Sequence, residues 1–431
     1  MALSNGIITL AVVFKVSPLS SGLPVLSAHL DGTAAVTVMV FAGAGSRYET
    51  EKERGISHFL EHMFFKGGKK YTNTKEVSMA IDGVGGDFNA FTGKEYAGYY
   101  VKVAKQHVEL ACDVLSDMLL HASFPQEEIE KERGVILEEE RMYQDTPIYR
   151  AGWDFEELIL GDHPLGWDTI GKEEVILSLN QADFQSHKDK LYTPDNTVIT
   201  FAGNIDDDQA VRLSSDYFGE LAGNKSRGYE PFSSYGSKKV LLRSKKTEQS
   251  HLVLGVPSVS SQSEDHYAHK LLSIILGGNM SSRMFLNIRE AKGLCYYIST
   301  ETDSYMDAGS LSTRAGVDQS RLHEAILLIK EQYLICADKG VDEDELKRAK
   351  DYIKGKLTLS MEDSEEQTHF YGKQHLLYPE TLGIEEYLSK FDAVEKEQVD
   401  ALASRILTPD QLRLAIIGPE KDEDALHKLL A

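Results

Sequence analysis

The sequence predicts an α+β protein built from two tandem, related domains, each a mostly antiparallel β-sheet packed with α-helices. Three observations carry this. The chain has 431 residues, enough for two domains and a large core. The order of strand-like and helix-like segments in the first half is repeated in the second, a weak internal duplication. Between the halves, Ala222–Lys239 (AGNKSRGYEPFSSYGSKK) is rich in Gly, Ser and charge and breaks the pattern. The expected division is residues 1–225, a linker at 226–239, and 240–431.

The elements follow in order. Ile7–Phe14 is a short apolar run, read as a first β-strand. It has no basic leader and no convincing cleavage site, and it is too short to span a bilayer. It also lacks the Arg-rich character of a mitochondrial presequence, so cytoplasmic residence is expected. Ala34–Ala42 (AAVTVMVFA) is β-branched and apolar, a buried strand ended by Gly43–Gly45. A short helix between Gly55 and Gly67 carries the motif described below. Thr74–Ile81 is helical and stops at Gly83. Gly85–Thr92 and Tyr96–Val103 form a hairpin around Gly93-Lys94. Lys105–His121 is an amphipathic helix. Pro125–Gln144 is the next, with Pro125 in its first turn and Glu127, Glu128 and Glu130 suiting a helix N-terminus. Tyr149–Leu160 and Leu179–Tyr192 are further helices. Between them, Pro164 and Gly166 mark a loop, so Asp162 and His163 are structural rather than ligands. Asn196–Gly203 is a strand and Asp206–Phe218 a helix.

After the linker, Val240–Val256 holds two strands. His266–Leu276 is a helix at the place of the first half's motif helix, and Gly277-Gly278 follows it as Gly67-Gly68 follows the first. Paired strands span Tyr296–Ala315. Helices at Arg321–Lys339 and Asp342–Glu362 come next, and Leu412–Ile417 is a closing strand like Thr197–Phe201.

Hydrophobic content of 42% and charged content of 26% are ordinary for a globular protein. The net charge of −22 argues against nucleic acid or an anionic membrane as a partner; acidic walls would favour basic peptides. Cys112, Cys295 and Cys336 form no C-x-x-C pair, as expected of structural thiols in a reducing compartment.

The chemistry concentrates in His58-Phe-Leu-Glu-His62. Two histidines four apart on a helix share one face and can hold one Zn²⁺. Glu61 lies near that face and can meet a reacting water without being a ligand. This is the H-x-x-E-H arrangement. The neighbours Phe59, Leu60, Met63, Phe64 and Phe65 are too apolar for an exposed helix, so the polar residues need partners. Zinc held by two histidines usually takes a carboxylate as well. On the Pro125–Gln144 helix, Glu132 and Glu139 are seven residues apart and share a face, with Val135, Ile136 and Leu137 between them. Spacing alone leaves Glu138 and Glu139 hard to separate.

His58–His62 followed by Glu132-Arg-Gly-Val-Ile-Leu-Glu-Glu139 resembles the pitrilysin family of zinc endopeptidases. Its relatives include insulin-degrading enzyme and the mitochondrial processing peptidase, and the single-chain bacterial processing-peptidase-like branch fits the length. The resemblance covers nearly the whole chain beyond the first twenty or so residues. It implies tandem domains facing each other around a chamber that admits unfolded peptides. It implies one Zn²⁺ per chain on His58, His62 and Glu139, not Glu138 or Glu140, with Glu132 supporting the ligands and Glu61 as general base. Asn89, Ala90 and Phe91 become an edge strand to which substrate backbone adds. Arg289 and Tyr296, seven apart in the second half, reach across to the site as donors to the peptide carbonyl. Arg283 ranks below Arg289, and Tyr297 faces the other way on its strand. A homodimer, or a heterodimer with a related subunit, is expected. The rival readings are a non-catalytic structural subunit and a peptide-binding chaperone. Retention of both the triad and the Arg/Tyr pair in one chain favours the peptidase.

Overall fold

A computed structural model describes residues 14–431. The expected first strand at Ile7–Phe14 lies outside the described residues except for Phe14, which opens β1 (Phe14–Val16).

The first sheet contains β1, β2 (Val25–His29), β3 (Ala35–Ala42), β4 (Asp87–Thr92), β5 (Ala97–Ala104) and β6 (Thr197–Gly203), in the order β1-β2-β6-β3-β5-β4. The second contains β7 (Val240–Ser244), β8 (Gln249–Ser258), β9 (Cys295–Ser304), β10 (Gly309–Asp318) and β11 (Arg413–Gly418), in the order β7-β11-β8-β10-β9. With β1 set aside, the two orders match strand for strand. Both sheets are mixed: β2–β6 and β7–β11 are parallel, and the other pairs are antiparallel. The helices of the first half are α1 (Ile56–Phe64), α2 (Thr74–Asp82), α3 (Val108–Leu120), α4 (Gln126–Asp145), α5 (Pro147–Leu160), α6 (Glu173–Ile176), α7 (Gln181–Leu191) and α8 (Asp207–Phe218). Those of the second are α9 (His266–Gly277), α10 (Leu322–Lys339), α11 (Glu343–Ser360), α12 (Ser364–Leu377), α13 (Ile384–Asp392), α14 (Lys396–Ile406) and α15 (Glu423–Leu430). The stretch between α8 and β7 has no regular structure beyond a turn.

The strand sequences follow from their positions. β3 (AVTVMVFA) and β6 (TVITFAG) are buried almost throughout, because helices cover both faces of the sheet and leave no side for polar alternation. β4 (DFNAFT) alternates in exposure and pairs only with β5, so it is an edge.

One face of each sheet is covered by a helix from the other half. α12 lies across β3 and β6, where its Tyr371, with Met361 just before the helix, meets Val198 and Ala202 of β6 and Leu26 of β2. α5 lies across β8 and β11, where Phe155 and Ile159 meet Val253 and Ala415. Both crossings are close. A methyl group at Gly372 of α12 would overlap the ring of Phe41 on β3, and one at Gly255 of β8 would overlap Phe155 of α5. Glycine is required there by close approach rather than by a turn.

The hairpins that carry the two edge strands, β4–β5 and β9–β10, also touch at their tips. Glu95 accepts from the Met306 amide at 3.0 Å, and Arg47, fully buried, binds both Glu95 and Asp307, the latter at 2.9 Å. Among the described residues no helix is long and apolar enough to cross a membrane.

Candidate metal centre

Helix α1 is fixed from its first residue. Gly55 precedes it with φ +94°, a left-handed conformation that suits glycine. The fully buried carboxylate of Glu49 accepts from the amides of Gly55 and Ser57 at 2.8 and 2.9 Å, capping donors that the helix cannot pair itself. Burial pushes the Glu49 carboxyl up to about 7. Phe59 packs on Phe184, and Phe64 on Tyr99 and Tyr192. With that side sunk in the core, His58, Glu61 and His62 turn toward α4.

Helix α4 is registered by Ile129, Glu132, Arg133 and Ile136, its buried residues. The Arg133 guanidinium donates to the carbonyls of Ile176 and Leu179, which locks the helix rotation. Glu132 and Glu139 thereby face α1. Glu138 turns outward to Arg141, and Glu140 accepts from Gln144. The structure separates by direction what spacing could not.

The His58 and His62 rings lie 4.7 Å apart. Each Nε2 is 3.7 Å from Glu139 Oε2. One ligand atom from each of His58, His62 and Glu139 lies within 4.8 Å of the others, the only such His/Cys/Asp/Glu cluster among the described residues. Glu132 Oε1 pairs with His62 Nδ1 at 2.8 Å, which leaves Nε2 as the free donor, the usual arrangement behind a metal-binding histidine. Lys66 holds the other Glu132 oxygen at 2.6 Å. Burial alone would raise the Glu132 carboxyl, but His62 and Lys66 outweigh it and hold it below its ordinary value. Burial, reinforced by His62, drives His58 down to about 3, so its imidazole is neutral. Burial also raises Glu139. Burial opposes the charge on His62, but Glu132, Glu61 and Glu139 outweigh it and raise that imidazole. One nitrogen from each histidine and one carboxylate oxygen fit Zn²⁺ with a position left open. His58 Nδ1 is buried without a partner, so only His62 has carboxylate support.

Glu61 accepts from Thr92 Oγ1 at 2.5 Å. Burial raises its carboxyl, reinforced by Glu139 and opposed by Thr92 and His62. The same bond ties β4 to α1. Asn89, Ala90 and Phe91 lie on this edge strand; Asn89 is exposed, and Phe91 packs on Phe41, Tyr96 and His369 on the face toward α12.

The second-half pair is placed differently. Arg289 stands in a short π-helical turn, Phe285–Glu290, its guanidinium 4.6 Å from the Phe285 ring. Tyr296 is 79% exposed on β9, the edge of the second sheet. Among the described residues no hydrogen bond or ion pair joins either one to the triad. Arg283 is occupied by Glu345, and Tyr297 by His251. His163 and Asp162 are occupied within their loop and by Glu230.

Sequence reasoning gave no role to Thr92, Lys66 or Glu49. A signal existed for Lys66 alone, which continues the four-residue spacing of His58 and His62.

Residues 24–158 match the sequence profile of the family described as insulinase (peptidase family M16), and residues 178–353 match the peptidase M16 inactive domain. The chain is 38% identical to the uncharacterized zinc protease YmxG of Bacillus subtilis, over 89% of this chain and 93% of that one. It is 35% identical to the uncharacterized zinc protease ML0855 of Mycobacterium leprae, over 96% and 93%. Among solved structures, a protease from Helicobacter pylori superposes with a TM-score of 0.86 at 20% identity, over 94% of this chain and 99% of that one. A peptidase M16 inactive domain from Pseudomonas fluorescens gives 0.88 at 17% identity, over 95% and 98%. At those identities the likeness speaks to fold. The α9 helix, which corresponds in order to α1, carries His266 and His269 but no H-x-x-E-H.

Proposed function

Because the chain belongs to peptidase family M16, the insulinase family, we propose that it is a zinc-dependent endopeptidase acting on unfolded peptides. The observation that carries this reading is the convergence of His58, His62 and Glu139, with Glu61 beside them but outside the ligand set. These three residues would hold one Zn²⁺ per chain. A zinc ion supplies Lewis-acid chemistry, lowering the pKa of water and polarising a peptide carbonyl. Glu61 accepts the proton of the attacking water and returns it to the leaving amine. A carboxyl raised by burial suits both transfers. Glu132 keeps the His62 proton on Nδ1 and orients the ring. The open edge of β4 takes the peptide backbone as an added strand, which binds varied sequences through main-chain hydrogen bonds. Arg289, half-buried, and Tyr296, exposed, both on the second half, donate to the peptide oxygen when a substrate spans both halves.

The test is Glu61→Gln, with zinc content and cleavage of a quenched fluorescent peptide measured on the same sample. Full zinc with abolished turnover is expected. Near-normal turnover, or loss of zinc, removes Glu61 from the assigned role.

A further inference from the structure

A second constellation lies away from the triad. Helices α9, α12 and α13 line an open cavity of about 630 Å³, within the range of small-molecule sites. Lys270, Lys373 and Lys390 line it, and among the described residues none of the three is in an ion pair with a carboxylate. Lys270 Nζ is 3.0 Å from the Tyr387 hydroxyl, and Lys373 Nζ is 5.3 Å from the Tyr96 ring. Glu380 is the only acid in the wall. In a chain of net charge −22, three unpaired ammonium groups around one concavity are not the expected background. A lysine that merely covers apolar surface turns its head out to water; Lys270 and Lys373 are half-buried, and Lys390 stands exposed at the rim of the same hollow. His266 adds a buried Nδ1 without a partner. The remaining wall mixes rings, Tyr267, Phe370, Tyr378 and Tyr387, with polar Ser and Gln side chains, and Phe370 and Tyr387 form an edge-to-face pair at 5.2 Å.

We infer that this cavity binds a small organic anion: a phosphate or carboxylate carried on an aromatic or apolar body. The ammonium groups and the His266 ring take the charged end, and the aromatic wall takes the body. The cavity is also connected to the edge hairpin. His369 and Lys373, one turn apart on α12, both line it. His369 Nε2 is 3.4 Å from the Tyr96 hydroxyl, and its ring is 5.5 Å from that of Phe91. An anion that draws Lys373 away from Tyr96 loosens the hairpin whose Thr92 holds Glu61. This coupling, unlike the binding itself, rests on the endopeptidase reading.

The experiment is calorimetric titration of the full chain with phenyl phosphate, benzoate, inorganic phosphate and phenol at matched ionic strength. One saturable site is expected for at least one aromatic anion, about tenfold or more tighter than for inorganic phosphate or phenol. The two aromatic anions distinguish phosphate from carboxylate as the preferred head. Lys373→Gln/Lys390→Gln, and Lys390→Gln alone, should weaken binding, the double variant by about tenfold or more, with the melting temperature unchanged. No saturable binding at about 10 mM, or equal binding by wild type and double variant, overturns the site. In the peptide assay the bound anion should change KM in wild type and not in the double variant. Binding without that change keeps the site and overturns the coupling. A chain with no peptidase activity leaves the calorimetry decisive.

Discussion

Thr92 Oγ1 donates a 2.5 Å hydrogen bond to Glu61 Oε2, so the strand that would receive a peptide and the carboxylate that would move its protons are held as one unit. A hydrogen bond to a charged group contributes about 1.5–3 kcal/mol. Thr92→Val keeps the branched shape and removes the donor. We expect kcat/KM to fall about tenfold or more, with zinc content unchanged by metal analysis. A wild-type rate would mean that Glu61 is positioned by something other than β4.

Glu139→Gln should empty the metal site, whereas Glu138→Gln should not. Glu139 Oε2 faces both histidines, and Glu138 is directed to Arg141 at the surface. Zinc retained after dialysis against a weak chelator separates the two. Loss in the Glu138 variant alone would show that α4 is rotated from the register described.

Tyr296→Phe and Arg289→Ala test whether the second half takes part in the chemistry. Tyr296 is 79% exposed, and among the described residues its hydroxyl has no hydrogen-bond partner, so the Phe variant should melt as wild type does. Loss of a donor to a developing oxyanion costs about 10²–10³ in kcat in a formed site. A fall of at least about tenfold in kcat/KM is expected for each variant, with zinc unchanged. Wild-type kinetics in both would leave that half a structural partner.

His269 gives a pH test of stability. It is fully buried with neither ring nitrogen bonded, and burial, with Lys270 adding, drives its pKa from 6.5 to about 3. The folded protein keeps it neutral, while the unfolded chain protonates it. Stability is therefore full above about pH 6.5 and is lost as pH falls toward about 3. One such group contributes a slope of about 1.4 kcal/mol per pH unit within that window. Urea unfolding of His269→Leu between pH 6 and 4 should show a slope shallower by that amount. An unchanged slope would mean that His269 is protonated in the fold.

The cluster on α1 was legible because it is local: the two histidines and Glu61 fall within five residues, flanked by apolar positions that fix which side is buried. The choice of Glu139 over Glu138 came through resemblance. Its physical basis, the locking of α4 by Arg133 and the carbonyls of Ile176 and Leu179, needs the fold. Thr92 and Lys66 escaped because their partners, Glu61 and Glu132, lie 31 and 66 residues away, and neither residue type announces such a role. The doubled order of strands was also readable, since apolar runs ended by glycine recur. Helices α12 to α15 were not read. In α12 the buried face includes Gln367, Thr368 and Gln374 beside Tyr371, so the apolar stripe that marks a helix is interrupted. Nothing local says which sheet a helix will cover.

Each half completes itself with a helix that its own sequence does not supply, so the two halves are handcuffed rather than hinged. Cutting the chain anywhere in 221–239 would not free two modules, because α5 and α12 would still hold the pieces together. A lone half would be left with one bare sheet face.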